Sequence, residues 1–253
     1  MLIDWIILAL AAFFAGMVDA MVGGGGLIQI PALLTQFPQT AIPTLFGTNK
    51  IASVAGTSAA LWGFARSIPI PWKVVLPATV AALIGAWWGA ALVAWLPRES
   101  MRPLVLLLLV AVAIYTFVKK DMGHAATRPL TPADRWRGVA LGLTLGLYDG
   151  FFGPGTGSFL IFAFVRFFGM DFLRASASAK VLNVATNIAA IGFFASHGPI
   201  LWAIGLMMAV CNLAGAAFGT GLALRGGSRF IRKIFLAVVV VLIGKLAMDL
   251  FFV

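Results

Sequence analysis

The chain has 253 residues, of which 62% are hydrophobic and only 10% are charged, whereas soluble domains are about half apolar and a quarter charged. This composition excludes an ordinary soluble protein and predicts an all-α polytopic membrane protein, with the lipid bilayer as a partner. The net charge of +10 does not indicate nucleic acid, because basic residues of membrane proteins concentrate in cytoplasmic loops. With one cysteine (Cys211) and two histidines (His124, His197), we expect no disulfide, no metal site and no cofactor.

Five helical elements are predicted in the first part of the chain, at 2–22, 26–37, 44–65, 71–96 and 101–118. The first lacks a basic leader and a cleavage site, so we interpret it as a retained helix and not as a signal peptide. Residues 2–36 as one helix would measure about 52 Å, too long for a single straight span. We therefore expect a break at the glycines 23–26, and the short piece after it either crosses or re-enters.

A polar linker follows at 119–136, and the remaining elements are predicted at 137–152, 156–168, 174–196, 199–224 and 230–252. The second part repeats the first without a gap when the sequence is shifted by 130 residues. Asp19 then falls on Asp149, Lys50 on Lys180, and "PIPW" (69–72) on "PILW" (199–202). We interpret residues 1–118 and 137–253 as two homologous transmembrane repeats, each with about four long helices and one short broken or re-entrant helix.

The basic residues favour inverted repeats. With an odd number of elements per half, one side of the membrane carries thirteen lysines and arginines, and the other carries only Arg98 and Arg102. With four crossings per half, in parallel, the two sides of the membrane would carry seven and eight basic residues. That distribution does not follow the positive-inside rule. We therefore expect both termini outside the cytoplasm and the linker 119–136 inside it.

The two glycine-rich breaks are "GGGG" (23–26) and "GPGTG" (153–157). Irregular backbone within a membrane must be buried in protein or line a watery cavity, and paired breaks in two inverted halves are typical of the central site of a secondary transporter. The helices that begin after the breaks direct their N-terminal amides toward the centre, which favours an anion. The predicted substrate-binding residues here are Gly23, Gly24, Gly25, Gly26, Gly153, Gly155, Thr156 and Gly157, with the amides of Gly25 and Thr156 as caps. The alternative role of glycine is close helix packing, which we prefer for Gly85, Gly89, Gly215 and Gly219.

Polar residues line one face of a helix in each half. Lys50, Ser53 and Thr57 share a face in the first half, and Lys180, Asn183 and Asn187 repeat that spacing in the second. Thr48 and Asn49 extend the first set, and all eight are predicted to bind substrate, as cations and hydrogen-bond donors suit an oxyanion. Lysine within a membrane normally faces the protein interior, although both lysines alternatively snorkel to the surface.

Asp19 and Asp149 are the acidic residues expected deep in the membrane. Each alternatively pairs with a lysine for structure or takes up a proton that is coupled to substrate movement, because burial raises the pKa of an unpaired carboxyl group. The sequence leaves both roles open.

Several motifs resemble the sulfite exporter TauE/SafE family of bacterial inner-membrane permeases. They are "GMVDAMVGGGGLIQIPALL" (16–34), "GTNK" (47–50), "AGTSAA" (55–60), "YDGFFGPGTGSFL" (148–160) and "FLRASASAKVLNVATN" (172–187). The resemblance covers nearly the whole chain. It implies transport of a small sulfur-containing or organic anion such as sulfite or a sulfonate, driven by the ion-motive force, and a location in the bacterial inner membrane.

We therefore expect a non-enzymatic secondary transporter for a small anion, with a proton or cation as a possible coupling partner and alternating access as its mechanism. An anion channel is one alternative, and it lacks alternating access. An intramembrane aspartyl protease is another, with Asp19 and Asp149 sharing a proton, although it leaves the two lysine faces without a role.

Overall fold

The computed structural model describes residues 2–96, 104, 107–108, 111 and 128–251, and the side chains of these residues up to Gly226 apart from Leu2 and Ala94. The regular structure in these ranges is entirely α-helical. The helices are α1 (Leu2–Val22), α2 (Gly26–Gln36), α3 (Ile42–Ala65), α4 (Trp72–Trp95), α5 (Pro132–Phe151), α6 (Thr156–Phe168), α7 (Phe172–His197) and α8 (Trp202–Phe251). The predicted helix at 101–118 and most of the predicted linker lie outside the described residues.

Six predicted helices match α1 to α4, α6 and α7 within two residues at each end, but two predicted boundaries are wrong. Helix α5 begins at Pro132, inside the predicted linker. The backbone amide of Thr131 donates to Asp134 Oδ2 at 2.8 Å, and proline is well suited to the first helical position. The predicted helices 199–224 and 230–252 form the single helix α8, because the intervening "RGGSR" contains no proline and each glycine costs only about 1 kcal/mol in a helix.

Four of the described helices contain segments long and apolar enough to cross a membrane: Ile3–Val22, Trp72–Val93, Phe172–His197 and Trp202–Gly226. Large apolar side chains such as Trp88, which is 58% exposed, lie on their outer surfaces. The chain is a membrane protein on these grounds, with its apolar residues facing outward as well as inward.

Helices α2 and α6 are half-length and turn back on the helices that precede them. Their 11 and 13 residues measure about 16 and 20 Å, well short of a ~30 Å hydrocarbon core. Arg128 donates hydrogen bonds both to Asp134 in the first turn of α5 and to Phe167 O at the end of α6. The beginning of α5 and the end of α6 therefore lie at the same end of the molecule, as in a re-entrant hairpin.

Small residues bring two helix pairs into close contact. A Cβ atom added to Gly146 of α5 would lie 2.7 Å from Ala82 Cα of α4, and one added to Gly150 would lie 2.8 Å from Ala86 Cα. The residue numbers rise together, so α4 and α5 run in the same direction. Helices α1 and α8 are parallel in the same way. The packing role predicted for Gly85, Gly89, Gly215 and Gly219 is confirmed, because an added Cβ would collide with the backbone of the facing helix at each position.

The two ends of the helix bundle differ in charge. Helices α4 and α5 begin at one end, which we call the basic end, and it carries Arg66, Lys73, Arg128, Arg135, Arg137, Arg166 and Arg174. The other end contains a cavity of about 620 Å³, which we call the vestibule, formed by residues 38–44, the end of α4 and residues 193–199. None of the described residues at the vestibule end is a lysine or an arginine.

Candidate functional site

The two glycine-rich breaks touch each other in the interior. The amide of Ser158 donates to Gly23 O at 3.0 Å, and its hydroxyl donates to Val22 O at 2.7 Å. Gly23 has a φ of +81°, and a Cβ atom there would lie 2.6 Å from Gly157 Cα. Only glycine fits this conformation at this distance, so the contact between the breaks depends on Gly23.

Side chains on both sides brace the second break. Gly153 and Gly155 have φ values of +91° and +83°. Tyr148 donates its hydroxyl to Pro154 O at 2.7 Å, and Thr156 Oγ1 donates to Gly153 O at 2.8 Å. The unwound backbone from 153 to 155 is therefore held in one conformation by hydrogen bonds.

Each buried lysine pairs with the aspartate of the other half. Lys180 Nζ lies 2.7 Å from Asp19 Oδ2 and also donates to the backbone oxygen of Asp19. Lys50 Nζ lies 2.9 Å from Asp149 Oδ2, as a charge contact without the alignment of a hydrogen bond. Each of the two ion pairs therefore joins a lysine of one half to an aspartate of the other half.

The lysines do not snorkel. Lys50 is 4% exposed and Lys180 is 1% exposed, and both end in the protein interior next to the breaks. Isolated charges in such surroundings are very costly, and pairing each ammonium group with a carboxylate offsets part of that cost. These contacts agree with the alternative in which each aspartate pairs with a lysine for structure. They do not decide whether an aspartate also takes up a proton.

Amide and hydroxyl groups of α3 and α7 face each other beside the ion pairs. Thr57 Oγ1 donates to Asn183 Oδ1 at 3.5 Å, and Asn187 Nδ2 donates to the same oxygen at 3.4 Å. Asn49 is 4% exposed, and its Oδ1 has no hydrogen-bond partner among the described residues. The two polar faces predicted from the sequence therefore meet, with unused hydrogen-bonding capacity between them.

A cavity of about 20 Å³ lies where the breaks, the ion pairs and the amides converge. Its lining residues are Asp19, Gly23, Gly26, Asn49, Lys50, Ser53, Asp149, Gly153, Gly155, Gly157, Asn183 and Asn187. This volume holds about one water molecule. Sulfite or a sulfonate group has a sulfur and three oxygens, so the cavity must widen before such an anion fits.

The other predicted residues lie around this cavity and do not line it: Gly24, Gly25, Thr48, Thr57, Thr156 and Lys180. The amide of Gly25 points toward Asp19 Oδ1 at 3.4 Å, and the amide of Thr156 donates to Gly153 O at 3.1 Å. Both amides predicted to cap an anion are therefore engaged by the protein itself in this conformation. Thr48 accepts a hydrogen bond from the amide of Leu201 at 3.1 Å and so joins α3 to the start of α8.

Gln29 was not identified from the sequence. It lies on α2, one turn beyond the cavity-lining Gly26, and is 1% exposed. Neither its Oε1 nor its Nε2 has a hydrogen-bond partner among the described residues. A glutamine within the apolar run "LIQIPALL" is the signal that identifies it, because a polar side chain in a membrane helix usually has a partner or a task.

Comparison with known proteins gives consistent results. The family model described as Sulfite exporter TauE/SafE matches residues 8–246. The probable membrane transporter protein ORF9 of Sinorhizobium sp is 36% identical over 248 residues, which cover 96% of this chain and 92% of that protein. The probable membrane transporter protein YfcA of Escherichia coli (strain K12) is 31% identical over 250 residues, covering 96% and 89% of the two chains. No solved structure matches the chain significantly.

Proposed function

Because the chain belongs to the sulfite exporter TauE/SafE family, we propose that it is a secondary transporter for a small anion, namely sulfite, a sulfonate or a related organic anion. The family and the relatives indicate a membrane transporter. One observation carries the finer proposal: two unwound breaks and two exchanged lysine–aspartate pairs surround one central cavity. Cations and amides are the groups that an oxyanion requires.

The packing of the helices supports inverted repeats and alternating access. Helix α4 of the first half packs along α5 of the second, and the equivalent α8 packs along α1. Helices α3 and α7 contact each other. In addition, α3 of the first half packs on α8 of the second, and α7 of the second half packs on α4 of the first. The basic end is proposed to face the cytoplasm of a bacterial inner membrane, because lysine and arginine concentrate there. The vestibule then faces outward.

The ion pairs suggest how a proton couples to the anion. While Asp19 and Asp149 are ionised, they neutralise the two lysines and compete with any incoming anion. Protonation of one aspartate frees its lysine, so one proton and one anionic charge enter the site together. Asp19 is the better candidate, since its side chain is 19% exposed whereas that of Asp149 is 3% exposed.

Flux of radiolabelled sulfite and of a small sulfonate into proteoliposomes tests the proposal, with and without a proton gradient. We expect saturable flux that follows the gradient and vanishes in Lys180→Ala. Because that variant leaves Asp19 without its cation, Lys180→Gln/Asp19→Asn serves as the partner variant: it removes both charges, retains the fold, and also fails to transport.

Full flux from the folded double variant contradicts the proposed site. Flux that neither saturates nor follows the gradient indicates a channel instead. The aspartyl protease is not favoured, because a catalytic dyad shares a proton between two carboxylates, whereas each aspartate here faces a lysine ammonium at 2.7–2.9 Å.

A further inference from the structure

We infer that the gap between α5 and α6 at the basic end binds the phosphate headgroup of an anionic phospholipid. This gap is a cavity of about 700 Å³ between the two helices, and it is separate from the central site. Its lining combines Arg128, Arg137 and Arg166 with apolar side chains such as Leu141 and Phe167. The cations suit the phosphate headgroup of an anionic lipid. The apolar side chains suit its acyl chains.

The charges around the gap leave a net positive field. Arg128 donates to both oxygens of Asp134, at 2.7 and 2.8 Å, and Arg137 donates to Asp134 Oδ1 at 3.2 Å. Arg166 has no ion-pair partner among the described residues. The Arg128 guanidinium holds the pKa of Asp134 well below its usual range, so this carboxylate stays charged. The gap thus contains three guanidinium groups, and the one carboxylate that pairs with any of them among the described residues is that of Asp134, which leaves an excess of two positive charges there.

The arginines lie at the depth of lipid headgroups. Trp136, next to Arg137, is 73% exposed, and exposed tryptophan is typical of the membrane–water interface. Leu141 and Phe167 form part of the apolar lining of the gap, and Phe167 is 56% exposed. An acyl chain can therefore lie along α5 and α6 while its phosphate reaches the arginines.

The equivalent hairpin of the first half has no such charges. A shift of 130 residues places Ile7 opposite Arg137 and Gln36 opposite Arg166. Helix α2 nevertheless packs back on α1, because Leu33 near its end lies in one hydrophobic cluster with Leu8 near the start of α1. The hairpin fold thus does not need cations at these positions. Because the two hairpins open toward opposite ends of the molecule, these cations also follow the charge difference between the ends. The ligand is inferred from their convergence on one cavity, and a glutamine at 166 is a substitution that the architecture already tolerates.

Native mass spectrometry of the purified protein in detergent tests the inference, with phosphatidylglycerol and phosphatidylcholine titrated separately. We expect a clear preference of the unaltered protein for phosphatidylglycerol. Arg166→Gln is expected to weaken its binding by about fivefold, and Arg137→Gln/Arg166→Gln by more than tenfold, since each basic side chain contributes additively to binding an anionic lipid. Binding of phosphatidylcholine should not change.

Arg225→Gln is the matched control, because Arg225 is exposed toward the same end and lies outside the gap. The inference is overturned if this control loses as much preference as Arg166→Gln, or if the double variant keeps its preference. It is also overturned if inorganic phosphate displaces phosphatidylglycerol at equal concentration, since the site then selects a soluble anion. The thermal midpoint in phosphatidylcholine, expected to be unchanged in Arg166→Gln, establishes that this variant is folded.

Discussion

The two hairpins of this protein occupy equivalent positions when the sequence is shifted by 130 residues, yet they are held together differently. In the second, Tyr148 and Thr156 hydrogen-bond to the unwound backbone, and Gly153 and Gly155 both adopt positive φ. In the first, Gly23 alone adopts positive φ, and the one side-chain hydrogen bond from its own hairpin is a long contact from Gly25 N to Asp19, while Ser158 of the other hairpin donates to Val22 O. The second break is therefore braced from within its own hairpin and the first is not, which makes α1–α2 the hairpin better suited to move.

The ion pairs repeat this difference. Asp149 and Lys50 are almost completely buried, whereas the Asp19 side chain keeps 19% of its surface exposed. The second hairpin, which is braced from within, carries the almost completely buried Asp149, and the first carries the more exposed Asp19. An aspartate that exchanges protons needs access, so the greater exposure of Asp19 makes it the better candidate for this role in the proposed cycle.

The largest effect is expected from the contact between the breaks. Gly23→Ala places a methyl group 2.6 Å from Gly157 Cα at a φ of +81°, which costs about 2–5 kcal/mol in strain and overpacking. Gly24→Ala is the matched control, because the nearest atom to its added Cβ lies 3.9 Å away. Thermal unfolding in detergent measures both. A Gly23→Ala protein as stable as Gly24→Ala would mean that the breaks do not depend on each other.

The next largest effect compares the two carboxylates. Asp149→Asn leaves the buried Lys50 without its counterion and is expected to cost about 3 kcal/mol. Asp19→Asn is expected to cost less, because Lys180 still donates to the backbone oxygen of residue 19. Unfolding midpoints of the two variants in the same detergent give the order. Equal losses, or the reverse order, would remove the assignment of Asp19 as the accessible partner.

The smallest effect concerns the brace itself. Tyr148→Phe removes the hydrogen bond to Pro154 O and is expected to cost about 1–2 kcal/mol, the usual value for a buried acceptor that loses its donor. Hydrogen exchange should increase at residues 153–157 and stay unchanged at 23–26, which serves as the internal control. An increase at both breaks would show that their stabilities are not separate.

Much of the site was predictable because the duplication is ungapped. The repeat register identified both breaks, both aspartates and both lysine faces, and helical spacing placed Asn183 and Asn187 beside Lys180. Which lysine meets which aspartate was not predictable, since a repeat within one chain does not reveal how its copies contact each other. The same limit applies to Thr48, whose partner Leu201 is 153 residues away.

The fold was less predictable where weak local signals compete. "TPAD" at 131–134 contains a helix start, but the neighbouring charges of the linker led us to begin the helix at 137. "RGGSR" indicated a loop, although two glycines without a proline do not end a helix that packing supports. Gln29 was missed because a single polar residue in an apolar run gives no periodicity.

The exchanged ion pairs have a consequence for how such a chain arose. A single unduplicated repeat would hold one lysine and one aspartate that do not meet each other, so each would remain buried without a counterion. Two copies in a two-fold symmetric dimer satisfy both at once, since each subunit then supplies what the other lacks. An ancestral single repeat is accordingly expected to have been stable only as a homodimer, an association that a chain containing both repeats makes permanent.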